Sequence, residues 1–463
     1  MDRQKGSGTL PLTRRGLLAR SAGLSPAGLL ITSCRAPAPD SRTAVGDAAL
    51  QREADADGIV RLQKMAWGST LEKETIERGL EIFHAQEPKI RVEYIHTPED
   101  YDNKLQAMLA SGAAPDVFKV SGALYADYIV AGALRDITDP LARDPLLGKP
   151  DYFIQPFERE RSTYKGRWYG IGSTAQEQIL YYNVEVLNKA GVMPPPVDAE
   201  KAWEWLPFIQ YARQLTVRTG TVTERFGAHW PTGTYGPAVV SNGGVIIDPK
   251  TLRYALDRPE AIEAIQHVAD LTLTHQVSAT PAEMQGGTVL QHLASGRFAM
   301  LVGGNWLLLD LAKMGFTYGT GVLPKLKRPA TTMTSSTTGI WRDTKKPEAA
   351  WRLFRFLNTD DYQLPLVWAG LWNPSHTTLL SPSGIQRWLN PEVHPPGYER
   401  LVEYMVKYGY ADIPVVGIRR ASAILNEALN QVWSGRATAA TVLKEAVPRA
   451  NQALDEEEAR SGK

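Results

Sequence analysis

The residue types that most often carry catalysis are scattered along this chain. Its eight histidines form no HxH or HxxxH pair, and the two nearest, His267 and His275, lie on one predicted helix at a spacing that is not typical of metal ligands. The single cysteine, Cys34, excludes a site built from several thiolates. No GxSxG turn, P-loop or GxGxxG motif is present. The sequence therefore predicts no catalytic residue, no metal and no cofactor, although paired carboxylates for carbohydrate hydrolysis would need geometry that a sequence does not give.

Aromatic side chains are the other group with chemical use, and they are abundant. There are 12 tryptophans and 18 tyrosines among 463 residues. Their flat faces pack in cores and also stack on ligands. A hydrophobic content of 43% with 22% charged residues is typical of a globular protein, and the length allows more than one domain. A net charge of +1 excludes the basic surface of a nucleic-acid binder, so the composition favours a binding protein for another kind of ligand.

The first 33 residues have the pattern of a signal peptide. Several arginines precede an uncharged run from Ser21 to Ser33 that is too short to span a membrane. Residues 13–18, TRRGLL, resemble a twin-arginine export signal, with the general secretion route as the alternative. Residues 30–34, LITSC, resemble a bacterial lipobox, which predicts that Cys34 is lipidated. Residues 34–57 are rich in proline, alanine and charge, and are predicted to be a tether.

The elements that must position a site alternate in type along the chain. Residues 59–67, 90–97 and 117–122 predict strands, and residues 71–86 and 101–110 predict helices between them. This order is typical of an α/β sheet with parallel strands. Ligands bind such sheets at the loops that follow the strands.

The stretch from Trp168 to Pro196 predicts a passage into a second α/β body. An alternating apolar run ends at Asn183, which is expected to cap a helix that stops at Gly191. Tyr181 and Tyr182, within that run, are expected to be structural.

Five stretches occur in an order that marks a family. They are residues 104–122 (KLQAMLASGAAPDVFKVSG), 168–196, 292–306 (HLASGRFAMLVGGNW), 318–324 (YGTGVLP) and 337–357 (TTGIWRDTKKPEAAWRLFRFL). Over roughly residues 58–455, the chain resembles the family 1 extracellular solute-binding proteins of ABC importers, the sugar-binding group that includes the maltose-binding type.

The resemblance implies the periplasmic-binding-protein type II fold, two α/β lobes joined by a three-segment hinge with the ligand cleft between them. The first lobe is expected to hold residues 58–175 and 303–337, and the second residues 176–302 and 338–463. The three crossings are then expected near 173–182, 302–303 and 335–340.

The same resemblance implies a function. A monomer, exported and anchored in the cell envelope through Cys34, captures a carbohydrate by lobe closure. It delivers the sugar to the transmembrane subunits of an ABC importer, on the periplasmic side or the outer face of the cytoplasmic membrane.

Sugar rings need aromatic faces for their C–H groups and polar side chains for their hydroxyls. Aromatic and polar residues placed in loops are therefore the candidate ligand contacts, with Trp306 foremost because it follows a glycine pair at a crossing. The full set is Trp67, Ser69, Ser121, Gln176, Glu177, Trp230, Tyr235, Asn305, Trp306, Trp341, Trp372 and Asn373.

Two alternatives remain open at this point. One is the same fold with another solute, such as a glycerol phosphodiester, a polyamine or a peptide. The other is a carbohydrate-active enzyme of the envelope. The candidate loops carry few charges, which favours a neutral sugar.

Overall fold

The computed structural model describes residues 41–155 and 157–461. The chain divides into two compact units, residues 1–45 and residues 46–463. Of the first unit only 41–45, at the start of a helix, are described, so the signal peptide, the twin-arginine motif and Cys34 lie outside the described residues. Among the described residues, no helix combines the length and the apolar character needed to span a bilayer.

The described strands are numbered in chain order. They are β1 Val60–Ala66, β2 Ile90–His96, β3 Val117–Val120, β4 Thr163–Tyr164, β5 Arg167–Trp168, β6 Gly170–Gly172, β7 Gln178–Asn183, β8 Val217–Thr219, β9 Val222–Arg225, β10 Ile247–Asp248, β11 Arg253–Tyr254, β12 Met300–Gly304, β13 Tyr318–Gly321, β14 Thr331–Thr332, β15 Thr337–Ile340 and β16 Gly409–Tyr410.

The described α-helices are numbered in the same way. They are α1 Ser41–Glu53, α2 Thr70–Gln86, α3 Tyr101–Ala110, α4 Tyr125–Val130, α5 Thr138–Arg143, α6 Phe157–Ser162, α7 Val184–Ala190, α8 Trp205–Leu215, α9 Gly236–Ser241, α10 Pro259–Leu273, α11 Val289–Ala294, α12 Leu308–Leu311, α13 Pro347–Phe356, α14 Asp360–Trp368, α15 Thr377–Leu380, α16 Pro382–Ile385, α17 Tyr398–Tyr408, α18 Ile418–Trp433 and α19 Ala439–Ser461.

The first lobe is built on a five-stranded sheet in the order β2-β1-β3-β15-β6. Strands β1, β2 and β3 run parallel, whereas β15 runs antiparallel to both of its neighbours. In β1, Val60 and Leu62 are fully buried while Arg61 is exposed, because alternate side chains of a strand point to opposite faces. The buried face packs beneath α2, α13 and α14, which confirms the predicted α/β layering of this part of the chain.

The second lobe is built on a three-stranded sheet in which β7 lies between β12 and β13, antiparallel to both. Its largest core lies under α8, α10, α18 and α19. The helix after β7 begins and ends as predicted. The Asn183 side chain accepts a hydrogen bond from the backbone N–H of Val186, and Gly191 ends the helix with φ of 65°.

The predicted assignment of the later segments to the two lobes is wrong. The range 303–337 contains β13, which pairs with β7 of the second lobe rather than with the first sheet. The range 338–463 begins inside β15, which lies in the five-stranded sheet between β3 and β6. Helices α13 and α14 follow β15 and also pack in the first-lobe core. The chain therefore joins the first-lobe sheet between Gly321 and Thr337, later than the predicted crossing at 302–303.

The predicted tether is also wrong over part of its length. The helix α1 occupies residues 41–53, and its Leu50 is 4% exposed in the first-lobe core. The Glu53 carboxylate accepts hydrogen bonds from the backbone N–H groups of Glu348 and Ala349 at 2.7 and 2.9 Å. A carboxylate at the positive end of α13 satisfies N–H groups that the helix cannot pair itself. The composition of residues 34–57 gave no indication of these two contacts, which join distant parts of the chain.

Trp230, predicted to contact ligand from an exposed loop, is a core residue. It is 2% exposed, and its ring lies 5.4 Å from that of Trp205 and 6.4 Å from that of Phe208. Its indole N–H donates to the Thr234 carbonyl at 3.1 Å, so the loop that looked accessible folds back over the ring. Trp230 is therefore buried because its own loop, held by this hydrogen bond, covers the ring.

We expect Trp230→Ala to lower the free energy of unfolding by about 3–5 kcal/mol, because it removes a large buried ring and leaves a cavity. Trp368→Ala is the matched control: Trp368 is 52% exposed, and we expect a loss below about 1 kcal/mol. Urea unfolding followed by far-UV circular dichroism measures both. Equal losses for the two variants would contradict the core assignment of Trp230.

Candidate functional site

Four loops meet at one edge of the five-stranded sheet. Because β1 and β3 are parallel, the chain leaves both strands at the same side, through Trp67–Ser69 and Ser121–Leu124. Thr337 pairs with Val120 on one side and Gly172 on the other, so β6 ends and β15 begins at that side too. We call these loops, residues 67–69, 121–124, 173–174 and 335–336, the carboxyl edge. It is the side of an α/β sheet where ligands bind.

Two lysines lie buried just behind the carboxyl edge. Lys64 of β1 is 6% exposed and Lys119 of β3 is 8% exposed. The Lys64 ammonium lies 4.7 Å from the centre of the Tyr94 ring. The Lys119 ammonium lies 4.4 Å from the ring of Trp67 and 4.8 Å from that of Trp372. Within the described residues neither ammonium has a hydrogen-bond or ion-pair partner. The principal contacts of both ammonium groups are therefore cation–π contacts with aromatic rings.

Burial shifts the pKa of these charged groups towards neutrality. It lowers the pKa of Lys64 to about 7, with a further contribution from the charge of Lys119. It lowers the pKa of Lys119 to about 8, against the opposing effect of the Glu72 carboxylate. Burial raises the pKa of Glu72 to about 7. Three titratable groups therefore share one poorly solvated space at the start of α2.

Trp372 reaches this space in an unusual backbone conformation. Its φ is 68°, in the left-handed region that a bulky residue rarely adopts, and the residue is only 5% exposed. Such a conformation persists where the surroundings fix it, and it is commonest at functional positions. Here it places the indole against Lys119 while the next residue, Asn373, enters the crossing between the lobes.

A buried polar network fixes that crossing. The Asn373 amide donates to the Glu177 carboxyl group at 3.0 Å and accepts from the Tyr398 hydroxyl at 3.0 Å. Glu177, Asn305 and Asn373 are all 0% exposed. The backbone N–H of Asn305 donates to the Glu177 carbonyl at 3.0 Å. Desolvation raises the pKa of Glu177 well above its usual range, against the opposing effect of the hydrogen bond from Asn373.

A separate cavity of about 520 Å³ lies between the lobes. The first lobe contributes Ala123 of the carboxyl edge and part of the segment 154–160, and the second contributes segments near 240–254 and 406–422. Its wall combines apolar side chains, tyrosines and polar groups of either charge. The apolar and aromatic part includes Met333, Val406, Tyr410 and Ile413. The polar part includes Gln155, Glu160, Arg328 and Asp412.

Asp412 is one of three charged residues that line this cavity, with Glu160 and Arg328. Its side chain is exposed to the cavity, yet the surrounding protein raises its pKa, and the nearby charge of Arg161 opposes that rise. Arg161 is itself fixed by an ion pair with Glu158 and by a hydrogen bond to the Gly172 carbonyl at 3.2 Å. The cavity thus offers a strong hydrogen-bond acceptor beside aromatic and apolar surface. Within residues 41–155 and 157–461, no group of three His, Cys, Asp or Glu side chains could hold a metal ion.

None of the twelve sequence-predicted ligand contacts lines this cavity. The structure brings Trp67 and Trp372 together around Lys119 and gathers Glu177, Asn305 and Asn373 at the crossing, where they are fully enclosed. The remaining half-buried positions are Ser69, which caps α2 by accepting from the Glu72 N–H, and Ser121, Gln176, Tyr235, Trp306 and Trp341.

Trp341 lies at the wrong side of the sheet for a ligand contact. It follows β15, which is antiparallel to β3, and so it lies next to Asp116, where β3 begins. The prediction was wrong because it did not anticipate the direction of this strand. Trp306 is half-buried, packs against the first-lobe core and lies over Gly304, where a Cβ atom would collide with its ring.

Sequence reasoning missed the lysines and the cavity residues. A signal for Lys64 existed, because it shares the alternation of Val60 and Leu62 and therefore had to point to the buried face. No local pattern indicated Tyr410 or Asp412, because their role depends on contacts between distant segments.

Comparison with known proteins decides the family. Residues 64–364 match the family model described as bacterial extracellular solute-binding protein. The chain belongs to this family.

Two curated relatives illustrate the family's range. The maltotriose-binding protein of Pyrococcus abyssi is 24% identical over 248 residues, 53% of this chain and 49% of that protein. The sn-glycerol-3-phosphate-binding periplasmic protein of Agrobacterium fabrum is 23% identical over 343 residues, 70% of this chain and 76% of that protein. The chain spans about half the length of the first curated relatives it matches.

Solved structures of the family share the fold. An ABC substrate-binding protein of Listeria monocytogenes in complex with cycloalternan superposes with a TM-score of 0.76 at 22% identity, covering 85% of this chain and 99% of that one. The maltose-bound MalE3 of T. maritima gives 0.70 at 20% identity, covering 84% and 98%. The type II periplasmic-binding-protein fold predicted from the sequence is confirmed.

We expect Lys64→Met to stabilise the protein by on the order of 3 to 5 kcal/mol at pH 6. Because burial lowers the pKa of Lys64 from 10.5 to about 7, the unfolded chain binds more protons than the folded chain between these values. The wild-type free energy of unfolding therefore rises with pH across this window, and the advantage of the variant shrinks towards pH 10.

Urea unfolding at pH 6, 7.5 and 9 measures this difference. Lys104→Met, at an exposed position on α3, is the matched control and is expected to leave the pH profile unchanged. A Lys64→Met variant that is less stable than wild type at pH 6 would contradict the buried, desolvated ammonium.

Proposed function

We propose that this chain is an extracytoplasmic solute-binding protein that captures a carbohydrate by lobe closure and delivers it to an ABC importer. The observation that carries the proposal is the cavity of about 520 Å³ lined by both lobes. Its size falls within the range of small-molecule sites. A solute that contacts both lobes binds the closed form better and shifts the population towards it.

The chemistry of the cavity suits a sugar. Tyr410 and apolar neighbours such as Met333 supply surface for C–H groups. Gln155, Glu160 and Asp412 supply acceptors for hydroxyls, and a hydrogen bond to a charged acceptor is among the stronger ones. From the sequence-predicted set, Trp67 and Trp306 are the aromatic residues that we retain as ligand contacts upon closure.

The relatives support this proposal and define its alternative. Proteins named for maltotriose and arabinooligosaccharide are among the curated matches. Two matches are named for sn-glycerol-3-phosphate, which supports a phosphorylated or otherwise acidic solute as the second candidate. In either case the protein acts as a monomer that hands its solute to the importer's transmembrane subunits.

We expect Asp412→Asn to weaken binding of the captured sugar about 10- to 100-fold, because a charged acceptor becomes a neutral one of the same shape. A thermal-shift screen of mono- and oligosaccharides first identifies the sugar, since a bound ligand raises the melting temperature. Calorimetric titration then compares wild type and variant. Asp139→Asn, on exposed α5 and away from the cavity, is the matched control and should retain full affinity.

Two results would contradict the sugar-binding proposal. One is the absence of any melting shift across the sugar panel. The other is chemical turnover of an oligosaccharide, which would point to an enzyme instead.

Lipidation of Cys34 is the proposed means of attachment to the membrane. We expect Cys34→Ser to move the protein from the membrane to the soluble fraction, because the lipid-accepting thiol is lost and the described residues contain no membrane-spanning helix. Fractionation followed by immunoblotting measures the shift. A variant that stays in the membrane fraction would contradict the anchor.

A further inference from the structure

We propose that Lys64 and Lys119 form an anion subsite at the carboxyl edge, so that the captured carbohydrate carries an acidic group. The inference rests on the proposed function and deepens it, because it names the chemical class of the solute. The acidic group is a carboxylate, as in a uronic acid, or a phosphate ester, and the two share the chemistry that a pair of ammonium groups recognises.

Strand geometry places the two lysines together. Lys64 pairs directly with Val117 in the parallel register of β1 and β3, so these residues point to the same face. Lys119 lies two positions beyond Val117 and returns to that face. Thr338 of β15 pairs with Lys119 and adds its side chain there. Three adjacent strands thus direct polar side chains into one space under α2.

The groups around this space are mainly donors. Both lysine side chains are more than nine-tenths buried, and no described residue accepts a hydrogen bond from either ammonium. The Ser173 hydroxyl is also buried at 7% exposure and has no hydrogen-bond partner among the described residues. Buried polar groups in native proteins are normally satisfied, so the unpartnered Ser173 hydroxyl, beside two ammonium groups without a protein acceptor, indicates room for an acceptor from outside the chain.

The charge balance of the space favours an anion. Two ammonium groups face one carboxyl group, Glu72, which is too far from either to form an ion pair. Asp310 adds a more distant carboxyl that acts on Glu72 and whose own pKa is raised by burial. Neither carboxyl can neutralise both lysines. An anion bound between the two ammonium groups would favour their charged forms and so raise the pKa of both lysines again.

The space has room for a small acidic group. A cavity of about 30 Å³, lined by Lys64, Lys119, Ser173, Thr338 and Trp372, exceeds the room that a single water needs. Trp67 and Trp372 flank the Lys119 ammonium, so a sugar ring attached to the acidic group would meet aromatic faces next to it.

Retention of two buried lysines is explained by this role. Apolar residues of similar length would fill the same positions without a desolvation cost. Destabilising groups persist where function requires them, and an anion held between Lys64 and Lys119 is such a requirement.

The first test uses small anions and does not depend on sugar binding. Wild type, Lys119→Met and the exposed control Lys104→Met are titrated with sodium acetate and with inorganic phosphate, replacing chloride at constant ionic strength. Tryptophan fluorescence is the readout, because the rings of Trp67 and Trp372 contact the Lys119 ammonium. We expect a saturable change in wild type and in the control that is lost in Lys119→Met.

The second test distinguishes the two sources of the anion. Calorimetry compares glucuronate, glucose 6-phosphate and neutral glucose, each alone and as the corresponding oligosaccharides where these exist. We expect one acidic series to bind more tightly than the neutral one and to lose about 10- to 100-fold in affinity in Lys119→Met, with less than about threefold change for any neutral sugar. The acidic series that binds more tightly shows whether the group is a carboxylate or a phosphate ester.

The outcomes separate the subsite from the proposed function. Saturable anion binding without sugar binding supports the subsite and contradicts the carbohydrate function. Sugar binding that is equally tight for neutral and acidic forms, and insensitive to Lys119→Met and Lys64→Met, overturns the subsite and leaves the function intact. An unchanged wild-type fluorescence in both small anions also overturns the subsite. Far-UV circular dichroism verifies that each variant is folded, as is expected when a buried charge is removed.

Discussion

The position of β15 is the constraint on which the rest of the molecule depends. This four-residue strand lies between β3 and β6 and forms hydrogen-bonded pairs with both. It joins the chain that has just left the second lobe to the sheet formed by the first hundred residues of the folded unit. Without it, β6 would have no neighbour in the sheet, and the loops before β7 would not lie beside those that follow β1 and β3. A short antiparallel insertion therefore determines where the two lobes meet.

The same arrangement brings two groups of buried polar side chains close to the place where the lobes meet. At the crossing, Glu177, Asn373 and Tyr398 are hydrogen-bonded to one another in complete burial. Behind the carboxyl edge, Lys64 and Lys119 are buried without a matching acceptor. The first arrangement is held by internal hydrogen bonds, although the second carboxyl oxygen of Glu177 has no partner among the described residues. The second is open, because it has donors and ring faces but no counter-ion. The two arrangements thus differ in whether the protein itself supplies a hydrogen-bond partner for the ionisable side chain.

Much of the fold follows from local patterns, whereas little of the site does. The alternation in β1 and β2, the apolar spacing of α2 and the Asn183 cap each depend on neighbouring residues, and each was predicted correctly. Strand direction is not local. The antiparallel entry of β15 reversed the expected place of Trp341, and hydrogen bonding by its own loop enclosed Trp230.

The cavity between the lobes could not be predicted from local sequence patterns either, because its lining residues come from distant parts of the chain. Asp412 and Gln155 are more than 250 positions apart, and nothing near either residue indicates the other. The lysines are the exception that a stricter use of periodicity would have found. Lys64 occupies a position where alternation requires burial, and a charge in such a position is itself informative.

The complete enclosure of Glu177 has a consequence for the medium in which the protein operates. Mobile ions screen interactions between exposed charges over about 10 Å at 0.1 M salt, but they screen buried groups much less. Glu177, Asn373 and Tyr398 are all fully buried, so mobile ions cannot approach the hydrogen bonds between them. The crossing between the lobes is therefore insulated from ionic strength. An extracellular solute-binding protein exposed to dilute and to saline surroundings would keep the same contact between its lobes in both.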